Sequence, residues 1–425
     1  MMKRTASLFA GLLVFLLAQN VGAYELGALG NVNIHGFISQ GYIMTTDNKF
    51  FGDTDDGGSY QFNERGLNFS SDVSDRLRIG LQVFSRDFGT LGDNEVTIDW
   101  AYADYTFTEW ANFKAGKIKL PQGLYNTSRD VDMLRTSILL PQSVYNEGWR
   151  DSINAMNGFE LYGYVPAGAV GSFEYHAQGG VNQFKDDGAE MRLLEDQFPV
   201  ALGVDVTNNQ VDATYVGSLV WETPLEGFRI GASGWQMSFD GDITRNPVKA
   251  LSEENPVSCL IDVTQTGWTT SLEYAIGDLV LSTEYNRINY ELSAPKFLPM
   301  NQNFESDFDS EGYYGMGTYR FCDWFELGTY YSEYYADRTN KDGDDGRYPD
   351  GQEHRGYLKD LALSLRFDIT ENWILKVEGH KMKGGAIMLN SDGNTKNYGT
   401  SLAPNIGPDY TKNWELYTAK VSYSF

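Results

Sequence analysis

The sequence predicts an all-β fold, a 16-stranded antiparallel transmembrane β-barrel with an infolded third extracellular loop. Three observations carry the barrel. Apolar and polar residues alternate with a period of two for about ten residues at a time, the length of a tilted membrane strand. Short turns and long polar loops take turns along the chain, as they do when every second connection lies on the same side of a membrane. After residue 23 no apolar run is long enough to cross a bilayer as a helix, which leaves a closed barrel as the spanning structure.

The N-terminus comes first. Lys3 and Arg4 precede an apolar stretch from Leu8 to Ala18, and Val21-Gly22-Ala23 supplies small residues for cleavage. This is the pattern of a Sec-type signal peptide over 1–23, too short to anchor the chain. The expected mature domain is 24–425.

Composition bounds the rest. Of 425 residues, 41% are hydrophobic and 14% aromatic, with 27 Tyr and 24 Phe, too aromatic for a disordered chain. Against 33 bases stand 58 acids, a formal charge of -25. Nucleic acid as a partner is excluded, because it needs a basic face.

The strands follow in order. Leu77, Ile79, Leu81 and Val83 alternate with Arg76, Arg78, Gly80 and Gln82. Phe173 to Val181, Val211 to Trp221 and Leu361 to Phe367 alternate in the same way. Sixteen such segments fall near 31–44, 60–70, 76–87, 95–107, 111–120, 156–164, 171–182, 211–222, 227–239, 262–274, 279–291, 311–321, 324–336, 356–368, 372–383 and 412–425. An eighteen-strand count requires a hairpin inside one of the long loops. A soluble sandwich also alternates, but its strands usually run about five or six residues. Aromatic pairs flank the short turns: Phe107 with Phe113, Trp221 with Phe228, Phe321 with Phe325, and Phe367 with Trp373. Amphipathic rings prefer the headgroup level, so these predict a girdle at the periplasmic rim.

The longest connection, about 121–154, follows the fifth strand. It reads PQGLYNTSRDVDMLRTSILLPQSVYNEGWRDSIN, with an apolar, partly helical middle from Met133 to Leu140. Such a loop is out of place in water, and we expect it to fold back into the barrel. The last strand alternates Tyr417, Ala419, Val421, Tyr423 and Phe425 with Leu416, Thr418, Lys420, Ser422 and Ser424.

These two segments carry a family resemblance. The terminal strand resembles that of outer-membrane porins. The infolded loop resembles the third extracellular loop of sixteen-stranded Gram-negative porins. The run from Ala115 to Tyr125, AGKIKLPQGLY, is similar to the approach to that loop in the phosphate-selective and dicarboxylate-type porins. The resemblance implies a passive water-filled diffusion channel in the cell outer membrane, surrounded by lipid and lipopolysaccharide. It implies a homotrimer and no cofactor. It carries over small hydrophilic solutes as a class and no particular substrate.

Charges that act on a solute must face the lumen. Arg76 and Arg78 take the polar face of strand three, and Lys117 and Lys119 share a face of strand five opposite Ile118 and Leu120. Arg129, Asp130, Asp132 and Arg135 lie on the infolded loop. A basic wall facing this loop predicts a constriction that favours anions, because a narrow low-dielectric pore screens charge poorly. The bland alternative is that these groups solvate the lumen and pair with one another. Other lumen candidates, Glu160, Glu174, Arg229, Glu326, Arg366, Lys376 and Glu378, have mixed signs.

Much of the acidic excess falls in outer loops, as in DGDDG at 342–346, which lacks the spacing of a calcium loop. No metal site is expected. The four histidines, His35, His176, His354 and His380, belong to no HExxH pattern, and no GxSxG or CxxC occurs. An enzyme is therefore set aside. Cys259 is expected in the fifth outer loop and Cys322 in a turn on the other side. About 25 Å of membrane separates those ends, too far for a disulfide. A second function stays open: a surface receptor or adhesin that uses the long acidic loops.

Overall fold

The computed structural model describes residues 24–25, 31–196, 198, 203–245, 257–298, 302–390, 394–397 and 406–425. The expected signal peptide, 1–23, lies outside the described residues.

Sixteen antiparallel strands close one barrel. They are β1 (Asn31–Thr45), β2 (Phe62–Ser74), β3 (Leu77–Phe88), β4 (Val96–Thr108), β5 (Ala111–Lys119), β6 (Ala155–Pro166), β7 (Ser172–Val181), β8 (Val204–Glu222), β9 (Phe228–Arg245), β10 (Val257–Ile276), β11 (Leu279–Leu298), β12 (Gln302–Cys322), β13 (Phe325–Tyr335), β14 (Tyr357–Asp368), β15 (Trp373–Gly384) and β16 (Asn413–Ser424). Each pairs with the next, and β16 returns to β1, with Leu416 opposite Thr45 and Ser424 opposite Phe37. Closure leaves no open sheet edge, which is what lipid demands. Tyr24–Glu25 pairs with the start of β1. A small hairpin, Asn394–Asn397 with Ile406–Asp409, stands apart in the last long loop.

The alternation sorts the two faces. On β16, Trp414, Leu416, Thr418, Lys420 and Ser422 are buried, while Tyr417 is exposed on the other face. Leu219, Leu281, Leu361 and Leu363 are likewise exposed, as an outer band made for lipid requires. At the short-turn end Phe321 and Phe325 meet, with centroids 5.6 Å apart. Five of the other predicted rings contact neighbouring strands, Phe113 with Phe159, Trp221 with Phe173, Phe228 with Tyr274, Phe367 with Phe325, and Trp373 with Tyr423, whereas Phe107 meets Tyr105 of its own strand. The girdle forms across the ladder because directly opposed residues lie about 5 Å apart.

Strand heights depart from expectation. β8 to β12 run 19, 18, 20, 20 and 21 residues, well into segments expected to be loops. Cys259 accordingly lies in β10, not in a loop, and Cys322 ends β12 at the short-turn side. The reason is an inner core above the membrane band. Phe239, Ile243, Ile261, Val263, Leu292 and Phe297 pack together there, and their polar outward neighbours hid the alternation. β5 to β7 have only 9, 12 and 10 residues, so the wall is low on that side.

We number the long loops L1 to L8 in chain order, with L1 at 46–61, L2 at 89–95 and L8 at 385–412. The fifth strand leads into L3, residues 120–154, and L4 spans 182–203. L4 carries a helix, α2 (Ala189–Glu195), that lies in the mouth of the barrel. Met191, Leu194 and Phe198 pack on the inner core of the tall strands. Leu193 joins Phe50 and Phe51 of L1, Leu139 of L3 and Met388 and Leu389 of L8 in a second apolar cluster. The mouth is thus packed like a protein interior.

Candidate functional site: a loop pinned across the lumen

L3 crosses the lumen and is tied to strands around most of the circumference. It contains short 3-10 turns and one helical turn, α1 (Arg150–Ile153). The helical middle expected between Met133 and Leu140 does not form beyond a three-residue turn at Asp132–Leu134. The physical reason is that its backbone donors go to the wall. Ile138 and Leu139 N–H donate to the two oxygens of Glu378 on β15, at 2.8 and 3.0 Å.

Other clamps repeat this logic. Glu284 on β11 accepts the Leu124 N–H at 2.9 Å and the Tyr145 and Tyr314 hydroxyls at 2.5 and 2.8 Å. Thr136 donates to Glu326 on β13. Arg366 on β14 donates to the Met133 carbonyl at 2.7 Å. The strongest knot surrounds Asp132. Its carboxylate is 3.0 Å from Lys376 and 3.4 Å from Lys420, and it accepts the Ser422 hydroxyl at 2.7 Å. Burial alone would raise this carboxyl, but Lys376, Lys420 and Arg135 pull it far below the usual range.

The predicted site residues divide. Lys119, Arg129, Asp130, Asp132 and Arg135 come together in and around L3. Lys119 reaches Asp130, which also accepts the Gln82 amide at 2.6 Å. Arg129 pairs with Glu147 at 2.9 Å and Arg135 with Asp132 at 3.7 Å, so both mainly brace the loop. Arg76 and Arg78 do not join them. Arg76 occupies the exposed two-residue turn before β3. Arg78, near that turn, donates to Ser70 at 3.2 Å and lies 4.0 Å from Asp72. The positions of β3 that meet L3 are Gln82 and Arg86, four and eight residues further along.

The lysines of β5 also differ from expectation. Ile118 and Leu120 are the buried ones, and Leu120 packs with Met156, Val216 and Trp235. Where L3 fills the lumen, the inner wall becomes apolar, and the polar-inside rule inverts. Lys117 stands at the rim of the low wall, its ammonium donating to the Ile98 carbonyl at 2.7 Å.

Sequence reasoning missed five members of the main charge cluster. Arg86 pairs with Glu147 at 2.8 Å and with Asp151 at 3.0 Å. Arg150 lies 3.7 Å from Asp99 and stacks over the Phe84 ring at 4.3 Å. Burial raises the Glu147 and Asp151 carboxyls, but the arginines override it and hold each at about 2. Arg86 was visible as a polar-face residue of β3, and Arg150 and Asp151 as charges within the loop. Their pairing spans 61 to 65 residues and leaves no local signal.

Beside this cluster, over the low wall, lies a cavity of about 1270 Å³. Four bases line it, Arg86, Lys117, Arg150 and Lys185, and four acids, Glu95, Asp99, Asp151 and Glu190. Lys185 and Glu95 bridge L4 to L2. Glu190, on α2, is different. Burial pushes its carboxyl up to about 8, and no base pairs with it among the described residues. Among the described residues no three His, Cys, Asp or Glu side chains are arranged to hold a metal. In the DGDDG segment Asp345 pairs with Arg347 at 3.3 Å.

A closed sixteen-stranded barrel with a loop pinned across its lumen is the fold of the outer-membrane porins. Three solved structures show the likeness. OmpT of Vibrio cholerae aligns with a TM-score of 0.55 at 15% identity, over 95% of this chain and 100% of that one. The anion-selective porin of Comamonas acidovorans aligns with 0.55 at 12% identity, over 93% and 99%. The outer-membrane channel DcaP of Acinetobacter baumannii aligns with 0.54 at 12% identity, over 95% and 100%. At such identities the likeness is one of fold. No protein-family model and no curated protein matches the chain.

Proposed function

We propose that the chain is an outer-membrane porin, exported by the 1–23 signal, that lets small hydrophilic solutes diffuse past L3. The observation that carries this is the pinned loop. Clamps from Lys376, Glu378, Glu284 and Arg86 hold L3 across the lumen and leave a charged cavity beside it. A purely structural barrel has no need of that arrangement. A trimer fits this reading, since a barrel with the same fold, OmpT of Vibrio cholerae, is described in a trimer form.

The cavity favours anions weakly. Four bases face four acids, but Glu190 is mostly protonated at neutral pH, which leaves a net charge near +1. Lys117 has no carboxylate partner among the described residues, and its charge is the least compensated. Lys117 and Lys119, with Arg129, Asp130, Asp132 and Arg135, form the constriction in this reading, joined by Arg86 and Arg150. Planar-bilayer recording tests the proposal: stepwise ohmic conductance is expected, with a reversal potential on the anion side in a salt gradient.

One observation favours the receptor reading instead. L1, L3, L4 and L8 share an apolar cluster that packs the mouth. A purified barrel that inserts but never conducts would support a receptor and sink the channel.

A further inference from the structure

On the other side of L3, against the tall strands, two small cavities adjoin. One has a volume of about 50 Å³ and the other about 60 Å³. Asn146, Trp149, Gln265, Tyr290 and Tyr334 line both, so they form one seam from α2 down to L3. Their chemistry contrasts with that of the large cavity. No charged side chain lines either of them. The walls are aromatic rings and amides instead, with aliphatic side chains such as Leu193, Leu194 and Val263 at the end nearer α2. Trp149 of L3 faces Tyr290 of β11 with centroids 6.3 Å apart, and Tyr290 stacks on Phe308 at 5.0 Å.

Two amides in this seam are unspent. Gln265 is 4% exposed and Gln122 is 7% exposed, yet neither side chain has a hydrogen-bond partner among the described residues. Buried amides are normally paired, and an unpaired one costs free energy comparable to a lost hydrogen bond. Around them Asn286 donates to Thr269 at 2.9 Å and Gln142 to the Leu140 carbonyl at 2.9 Å, so the neighbouring polar groups are satisfied. Donors and acceptors without charge, set beside aromatic faces, suit a molecule that is hydroxylated and neutral. Hydroxyls both donate to and accept from an amide, and the C–H face of a polyol packs on a ring. An ion would find no counter-charge there. With roughly 10–15 Å³ for each water, each cavity has room for about four oxygen-sized groups.

We propose that this seam binds a small uncharged polyhydroxy compound, a sugar alcohol of three or four carbons, through the Gln122 and Gln265 amides and the Trp149 and Tyr290 rings. The proposal deepens the channel reading by naming a class of solute. Binding can be measured without conduction, so the two stand or fall separately.

The experiment is equilibrium dialysis of the detergent-solubilised barrel against radiolabelled erythritol, with erythronate of similar size as the charged counterpart. Saturable erythritol binding, with none for erythronate, is the expected result. Gln265→Leu and Gln122→Leu keep side-chain volume while removing the amide, and each should weaken binding about fivefold. Arg78→Glu, near the short turn and outside both cavities, should leave it unchanged. Non-saturating uptake of erythritol, equal uptake of erythronate, or unchanged affinity in both leucine variants would overturn the assignment. A variant that fails to close the barrel shows itself by its electrophoretic shift on heating. In that case Gln265→Glu, which places a charge in the seam, serves as the alternative and should also weaken erythritol binding.

Discussion

Asp132→Asn should release one end of L3 while the barrel stays closed. The substitution preserves the shape of the side chain and removes the only carboxylate within 4 Å of Lys376 among the described residues. Lys376 is fully buried and keeps two carbonyl acceptors, Asp132 at 2.6 Å and Ser137 at 3.3 Å, while Lys420 keeps Glu64 at 2.5 Å. Breaking a buried ion pair by removing one partner costs about 3–5 kcal/mol. The retained acceptors place this case at the low end. About 3 kcal/mol shifts the docking equilibrium of the loop by roughly two orders of magnitude. Glu378 and Glu284 still hold L3 elsewhere, and no strand pairing depends on Asp132, so the heat-dependent gel shift of the barrel should not change. Two assays read the loop itself. Trypsin should cut the variant at Arg129, buried in the wild type, or at Arg135, half-buried there, and single-channel records should gain brief excursions in conductance. The wild-type knot should hold through mild acid. A carboxyl depressed in the folded state stabilises above its unfolded value of about 3.9 and loses that stability only as pH falls toward its folded value. Trypsin resistance and quiet records in Asp132→Asn would refute the view that this knot pins the loop.

The pH dependence of L4 should have the opposite sign. Burial raises the Glu190 and Asp196 carboxyls, to about 8 and about 7, so docking of α2 is strongest in acid and weakens as pH climbs from about 4.3 through 8, by roughly 5 kcal/mol for Glu190 in full. Proteolysis at Arg192 should therefore increase between pH 5 and 9, and Glu190→Gln should flatten that rise; an unchanged profile in the variant would exclude Glu190 as its source. Lys117→Glu should move the reversal potential toward cations, whereas Arg78→Glu, close to the short turn and solvated, should leave it in place. Gly158→Ala should lower the yield of closed barrel several-fold, because an added Cβ would run into the Gly179 carbonyl of the neighbouring strand; wild-type yield would show that the ladder gives way there.

The barrel was legible because its signal is local. Each strand announces itself by alternation within ten residues or so, and all sixteen lie where the alternation puts them. Strand ends were less legible. Val206, Ile243 and Ile261 alternate as well as any membrane residue, but polar outward neighbours such as Asp205, Asp242 and Asp262 give those stretches the composition of loops. The clamps were not legible at all. Glu378 meets Ile138 across 240 residues, and Lys376 meets Asp132 across 244. A strand pattern shows that Glu378 faces inward without showing what it faces.

The same gap explains the reversal at β5. The expectation that polar residues line the lumen assumes that water fills it. Once L3 occupies the lumen, the inner wall beneath it must pack against protein, and Ile118, Leu120, Met156 and Val216 serve there as core residues. Lys119 then acts from the strand end and Lys117 from the rim. What remains for a solute is the space that L3 and L4 leave unfilled, and that space is divided. One side holds the charges of Arg86, Arg150, Asp99 and Asp151, while the other holds aromatic rings and unpaired amides without any charge. A single selectivity for the whole barrel is therefore the wrong quantity to seek. Ions and neutral solutes should respond to different substitutions, and Lys117→Glu and Gln265→Leu separate them.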